Sequence, residues 1–183
     1  DTCSEIANGV LDWSCPQDGS LNGITYDLDN ALVGDWVYRL KLSPSTLSGS
    51  YTSQIWLGAS NAAGMGFYGD SPDGEDQFGA RLADNNNMMN AYLRDGGGAI
   101  TGATDWTSPI VEGEDYWLEF TYDDSAQTFE LLVFDDDTYT THSMADYTST
   151  VDLGAQSMNM DAPAHIGFKD CPVAWGCNQG FYL

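Results

Sequence analysis

Apolar and polar residues alternate with a period of two along most of this chain, and helical spacing is hard to find. In WVYRLKL, Trp36, Tyr38, Leu40 and Leu42 fall on one face and Val37, Arg39 and Lys41 on the other. In GEDYWLEFTYDDSAQTFELLVFDDD, Tyr116, Leu118, Phe120 and Tyr122 share a face, and Phe129, Leu131 and Val133 share another. The connection Asp123-Asp124-Ser125-Ala126 joins the two runs into a predicted hairpin. The same alternation predicts strands over 23–29, 53–60, 76–82, 89–94 and 165–169, with a closing strand in the final GFYL. Gly, Asn, Asp and Pro lie between them, and the 20 glycines suit tight turns that need positive φ. Many short strands separated in this way predict an all-β, antiparallel two-sheet sandwich.

Strand parity extends the prediction to the faces. If Phe78, Ala80 and Leu82 point into the core, then Arg81 lies on the other face, and the same count places Arg39, Lys41 and Arg94 outward. Ile166 and Phe168 pointing inward put His165 and Lys169 outward. Two accounts fit this. In one, a sheet carrying Arg81 and Arg94 beside Trp56 and Tyr92 grips an acidic or hydroxyl-rich glycan by bidentate bonds and ring stacking. In the other, and simpler, account the cations neutralise acids on neighbouring strands. Only knowledge of which strands share a sheet separates them.

The segments DWVYRLKLS, SQIWLGAS and GEDQFGARL, followed by the Gly113 to Asp137 hairpin, resemble the concanavalin A-like lectin/glucanase superfamily with its laminin-G-like modules. The resemblance covers roughly residues 23 to 170. It implies a jelly roll of two antiparallel sheets, one concave, with glycan sites on that face or its rim loops and often a calcium ion. Its motifs are those of a fold rather than of an active site. Glycosidases of the superfamily carry an E-x-D-x-E strand, which sets a nucleophile and an acid on one face. This chain has no such pattern, and its nearest approach, Glu112-Gly113-Glu114, lies in a turn. Lyases of similar architecture use Arg, Gln, His and Tyr on the concave sheet, which keeps polysaccharide cleavage as a further alternative.

Length and charge narrow the rest. A chain of 183 residues with no linker or repeat makes one domain, 1–183. With 28 acids against 5 cations and a net charge of -23, it lacks the basic patch that nucleic acid or an anionic membrane requires. Nor is any apolar run long enough for membrane insertion. The acidity fits salt adaptation, and equally divalent cation sites. Asp70, Asp73, Glu75 and Asp76 lie within seven residues, a hard-oxygen set that suits Ca²⁺ although it is not an EF-hand.

Cys3, Cys15, Cys171 and Cys177 are spaced C-x₁₁-C and C-x₅-C, which fits disulfides better than zinc and implies an oxidising compartment. Four cysteines allow three pairings. Local 3–15 and 171–177 bridges are favoured, while cross-pairing would serve if the termini run side by side. The opening Asp1-Thr2-Cys3 reads as a mature secreted chain, hence extracellular or on a cell surface. No N-x-S/T acceptor is present, and the Thr-rich stretches 101–108 and 138–150 are the candidates for O-glycans.

Among 6 tryptophans and 10 tyrosines, Trp36 is in phase with the core, whereas Trp56, Trp106, Trp117 and Trp175 are out of phase or in loops. Such rings stack on sugars or dock proteins. The expected function is therefore a non-catalytic, secreted lectin-like module that binds carbohydrate with Trp56, Arg81, Tyr92, Arg94, Trp106 and Trp175, calcium assisting. A self-assembling subunit of an extracellular filament or surface layer, bound to copies of itself, is the main alternative. Histidines 142 and 165 are too few for a zinc site, and no G-x-S-x-G or phosphate cradle is found.

Overall fold

The computed structural model describes residues 4–7, 10–13, 23–48, 55–61, 76–83, 88–95, 98–100, 110–140, 149–152, 163–169 and 178–182. These hold strands and turns and no helix. The strands are β1 (Ser4–Ala7), β2 (Val10–Trp13), β3 (Gly23–Asp27), β4 (Trp36–Ser48), β5 (Ile55–Ser60), β6 (Gln77–Ala83) and β7 (Met88–Asp95). After them come β8 (Gly98–Ile100), β9 (Tyr116–Asp123), β10 (Thr128–Phe134), β11 (Ser149–Asp152), β12 (His165–Lys169) and β13 (Asn178–Tyr182). One sheet has seven strands in the order β1-β2-β13-β4-β9-β10-β11, and the other six in the order β3-β12-β5-β6-β7-β8.

The predicted strands recur within a residue or two of their sequence bounds, and 165–169 recurs unchanged. Strand β4 is the exception, because it runs on past Leu42 to Ser48 through Pro44. It pairs with β9 over Trp36 to Leu42 and then with β13 from Ser43 onward, and the register shifts beside Pro44, between Gly180 and Phe181. Proline has no N–H for the ladder, so a bulge is where a strand tolerates it. Its carbonyl still accepts the Gly113 N–H at 2.8 Å. Strands β1, β2, β8 and β11, each three or four residues long, are too short to announce themselves by periodicity.

The two sheets meet through their alternate residues. Strand β9 buries every second residue, from Tyr116 to Tyr122, and Phe129, Leu131 and Val133 of β10 are fully enclosed. From the six-stranded sheet come Leu57, Ala59, Phe78, Ala80, Ala91 and Leu93. Phe78 joins the layers, with its ring centroid 5.5 Å from Trp36, 5.3 Å from Tyr122 and 5.7 Å from Phe129. Each such ring pair is worth about 0.5–1.5 kcal/mol beyond the area it buries. Tyr38 stacks on Phe120 at 5.8 Å, and burial pushes its phenol up to about 12.

Carboxylates build the turns. In the β9–β10 hairpin, Asp123 Oδ1 accepts the Ala126 N–H at 2.7 Å and the Ser125 hydroxyl at 2.8 Å, and these bonds hold its carboxyl below the usual range. Gln127 closes the loop at φ 52° and donates to the Asp124 carbonyl at 2.7 Å. After β10, Asp136 accepts the Thr138 N–H at 2.9 Å, which turns the chain so that Tyr139 lies back against Phe134, rings 5.5 Å apart. The three aspartates that close the hairpin segment thus begin a turn over the sheet.

Candidate functional site

Register now assigns the cations to sheets. Arg39 and Lys41 stand on the outer face of the seven-stranded sheet, opposite Glu119 and Trp117 of β9. There Arg39 Nε donates to Glu119 at 2.6 Å and its guanidinium lies 4.7 Å from the centre of the Tyr139 ring. Lys41 reaches Asp115 at 2.7 Å and lies 5.4 Å from the Trp117 ring. Bonds from Lys41 and Ser43 hold the Asp115 carboxyl below its ordinary range. On this sheet the cations neutralise neighbouring acids, and Trp117, a stacking candidate by sequence, is half-buried beneath Lys41.

The six-stranded sheet is arranged differently. Its pairings run Gly23–Lys169–Trp56–Arg81–Asn90 as one rung, each residue opposite the next. The following rung on the same face is Thr25–Gly167–Gly58–Gly79–Tyr92, and the third is Asp27–His165–Ser60–Gln77–Arg94–Ala99. The intervening rungs carry the buried Leu57, Ala59, Phe78, Ala80, Ala91 and Leu93, so these three rungs belong to the face away from the core. Four of the six sequence candidates, Trp56, Arg81, Tyr92 and Arg94, therefore share one face of one sheet, and Lys169 and His165 join them.

Within this face Trp56 stands between Lys169 and Arg81. His165 Nδ1 is 2.7 Å from Asp27 Oδ1, and among the described positions of the face Asp27 is the one acid. Ser60 and Gln77 are fully buried although they face away from the core, whereas Asp27 on the same rung is exposed. Gly58 answers to the sheet rather than to a ligand. At φ 156° a Cβ there would meet the Phe78 carbonyl oxygen at 2.0 Å.

Asp76 is the one member of the expected calcium set within the described residues, and it is 3% exposed. Its N–H donates to Asn61 Oδ1 at 2.8 Å and its carbonyl accepts the Asn61 N–H at 3.1 Å, which clamps the ends of the β5–β6 connection. Asp70, Asp73 and Glu75, together with Trp106, Trp175 and the cysteines 3, 15, 171 and 177, lie outside the described residues. Among the described residues no three acids, histidines or cysteines come together as a metal-holding group. Asn90 and Gln77 were missed as members of the polar face. Parity marks both as outward, but neither carries a charge or a ring to draw notice.

Neither a protein-family model nor a curated protein matches the sequence. Solved structures do. The Lotus tetragonolobus seed lectin superposes with a TM-score of 0.60 at 9% identity, over 98% of this chain and 86% of that one. Basic winged bean lectin, solved with Tn-antigen, gives 0.57 at 10% identity, over 99% and 87%. A prokaryotic β-1,3-1,4-glucanase, a lichenase derived from a mouse hindgut metagenome, gives 0.54 at 11% identity, over 98% and 79%. Identities this low speak for the fold alone, and this fold serves both lectins and a hydrolase. Two antiparallel sheets with these strand pairings, matched to these structures, share the jelly-roll fold of the lectins and of the glucanase.

Proposed function

We propose that this protein is a non-catalytic, extracellular lectin-like module that binds a glycan on the outer face of its six-stranded sheet, at the Lys169–Trp56–Arg81–Asn90 end. The observation that carries this reading is the strand register, which sets Lys169, Trp56, Arg81 and Asn90 at successive positions of one rung. Ring faces stack on sugars, and guanidinium and amide groups bond hydroxyls and carboxylates with fixed geometry. Ser60 and Gln77, two rungs away, are enclosed, which favours contact at the Trp56 end. Calcium held by Asp70, Asp73, Glu75 and Asp76 is part of the proposal. The lectins and the glucanase of the same fold favour a carbohydrate ligand over other small molecules, and the missing E-x-D-x-E strand favours binding over hydrolysis.

The test is binding to a panel of neutral and acidic polysaccharides, followed by intrinsic tryptophan fluorescence and by affinity electrophoresis, with reducing ends and unsaturated products assayed in parallel. Trp56→Ala should abolish binding while the circular dichroism and melting temperature stay unchanged, and Trp117→Ala on the opposite sheet should leave binding intact. Binding that survives Trp56→Ala, or a panel with no ligand, overturns the reading. Product formation that Arg81→Gln abolishes would make the protein a polysaccharide-cleaving enzyme instead. A large native mass by light scattering that falls on chelation of calcium, with no glycan bound, would favour the self-assembling subunit.

A further inference from the structure

From the distribution of charge over the two sheets we infer that the glycan is acidic, with carboxylates repeated along its chain; this inference rests on the glycan-binding reading above. The chain has 28 acids and 5 cations, and three of those cations, Arg81, Arg94 and Lys169, occupy one face of the six-stranded sheet. On the other sheet Arg39 stands opposite Glu119 and bonds it, and Lys41, opposite Trp117, reaches Asp115 just before β9. The three on the six-stranded sheet have no acid opposite them in register. Arg81 faces Trp56 and Asn90, Arg94 faces Gln77 and Ala99, and Lys169 faces Gly23 and Trp56. Among the described positions of that face the one acid, Asp27, stands two rungs from Lys169 and is engaged with His165.

A positive face on a chain of net charge -23 is a local device, because the Debye length is only about 10 Å at 0.1 M salt. At that ionic strength the nearest groups decide what is attracted, and the distant acids are screened. Lys169 and Arg81 lie two strands apart, about 10 Å, with Trp56 between them, and Arg94 lies two rungs further along, about 14 Å away. Cations spread over that distance can meet more than one carboxylate, which a polymer supplies and a single acidic sugar does not. A sugar face stacked on Trp56 would carry carboxylates outward to either side, toward Lys169 and Arg81. Arg94, the farthest of the three from Trp56, contributes least.

The experiment uses polygalacturonate, alginate and hyaluronan, each beside a neutral twin in which the carboxylates are reduced to alcohols. At least one acidic polymer should bind, and its reduction should weaken binding tenfold or more. Arg81→Gln and Lys169→Gln should each weaken binding to the acid form about tenfold or more, with less effect from Arg94→Gln. Lys41→Gln, on the other sheet, should leave binding unchanged, and melting temperatures show that each variant folds. Equal binding of acid and reduced polymers, abolished by Trp56→Ala, would overturn the acidic-glycan inference and leave the glycan-binding reading standing. Arg81→Gln and Lys169→Gln variants that melt lower but bind normally would show that these cations serve stability, and would also overturn it. Absence of binding to every polymer of either kind overturns both.

Discussion

Gly58→Ala is the substitution whose cost follows most directly from the geometry. A Cβ at position 58 would lie 2.0 Å from the Phe78 carbonyl oxygen and 2.5 Å from the Gly79 Cα, both backbone atoms of the neighbouring strand. Real Cβ contacts stay beyond about 3 Å, so β5 and β6 must part by roughly an ångström. Strand β6 is tied on its other edge to β7, and it cannot shift as a whole. Two ladder bonds around Gly58 would break or stretch, each worth about 1 kcal/mol, and each buried group left unpaired adds about 1–3 kcal/mol. A φ of 156° for alanine adds about 1–3 kcal/mol more.

The expected loss for Gly58→Ala is thus about 3–6 kcal/mol out of a typical 5–15 kcal/mol. Gly34→Ala is the matched control, because Gly34 has φ 67° and nothing within 4 Å of its virtual Cβ. It should cost about 1–2 kcal/mol from the left-handed backbone alone. At about 0.4 kcal/mol per degree for a chain of this length, thermal unfolding should shift about 3–5 °C for Gly34→Ala and about 8–15 °C for Gly58→Ala. Urea unfolding followed by tryptophan fluorescence gives the same comparison at 25 °C. Equal shifts for the two variants would refute the steric argument and leave only a backbone preference.

Phe129→Ala should cost about 3–5 kcal/mol in a urea titration, because Phe129 is fully enclosed and contacts Trp36, Phe78 and Phe120 across both sheets. Phe134→Ala, on the outer face against Tyr139, should cost clearly less, and equal losses would contradict the assigned core. For Asp115, the folded carboxyl titrates below its unfolded value, so its contribution is present above the unfolded pKa and is lost as pH falls through the folded one. Asp115→Asn should therefore narrow the gap between the urea midpoints at pH 7 and pH 3, modestly, since both partners are more than a third exposed. An unchanged gap would count against the Lys41 and Ser43 bonds. Millimolar calcium should raise the melting temperature, EDTA should reverse it, and Asp73→Asn should abolish the response; no response in the wild-type protein would remove calcium from the proposal.

The period-two alternation was enough to place most of the long strands, because each buries one face and the side-chain repeat is two. The β9–β10 hairpin was legible to within a residue, since Asp123 and the turn after it form their bonds within a few residues. Parity also told which cations face outward. It did not tell which sheet they occupy, and so the two accounts of the cations stood side by side. Arg39 and Lys41 look no different in sequence from Arg81 and Arg94. Their contrast arises because β4 lies against β9, which supplies Glu119, whereas β6 lies between β5 and β7, which supply Trp56 and Asn90. Such pairings join residues far apart along the chain, as Lys169 with Trp56, and nothing local encodes them. The sequence by itself determined the strands, their inward and outward faces and the acidic turns, for these follow from short-range periodicity and turn chemistry. The tertiary structure alone decided which outward residues stand together, because strand order is set by how two sheets close over one core.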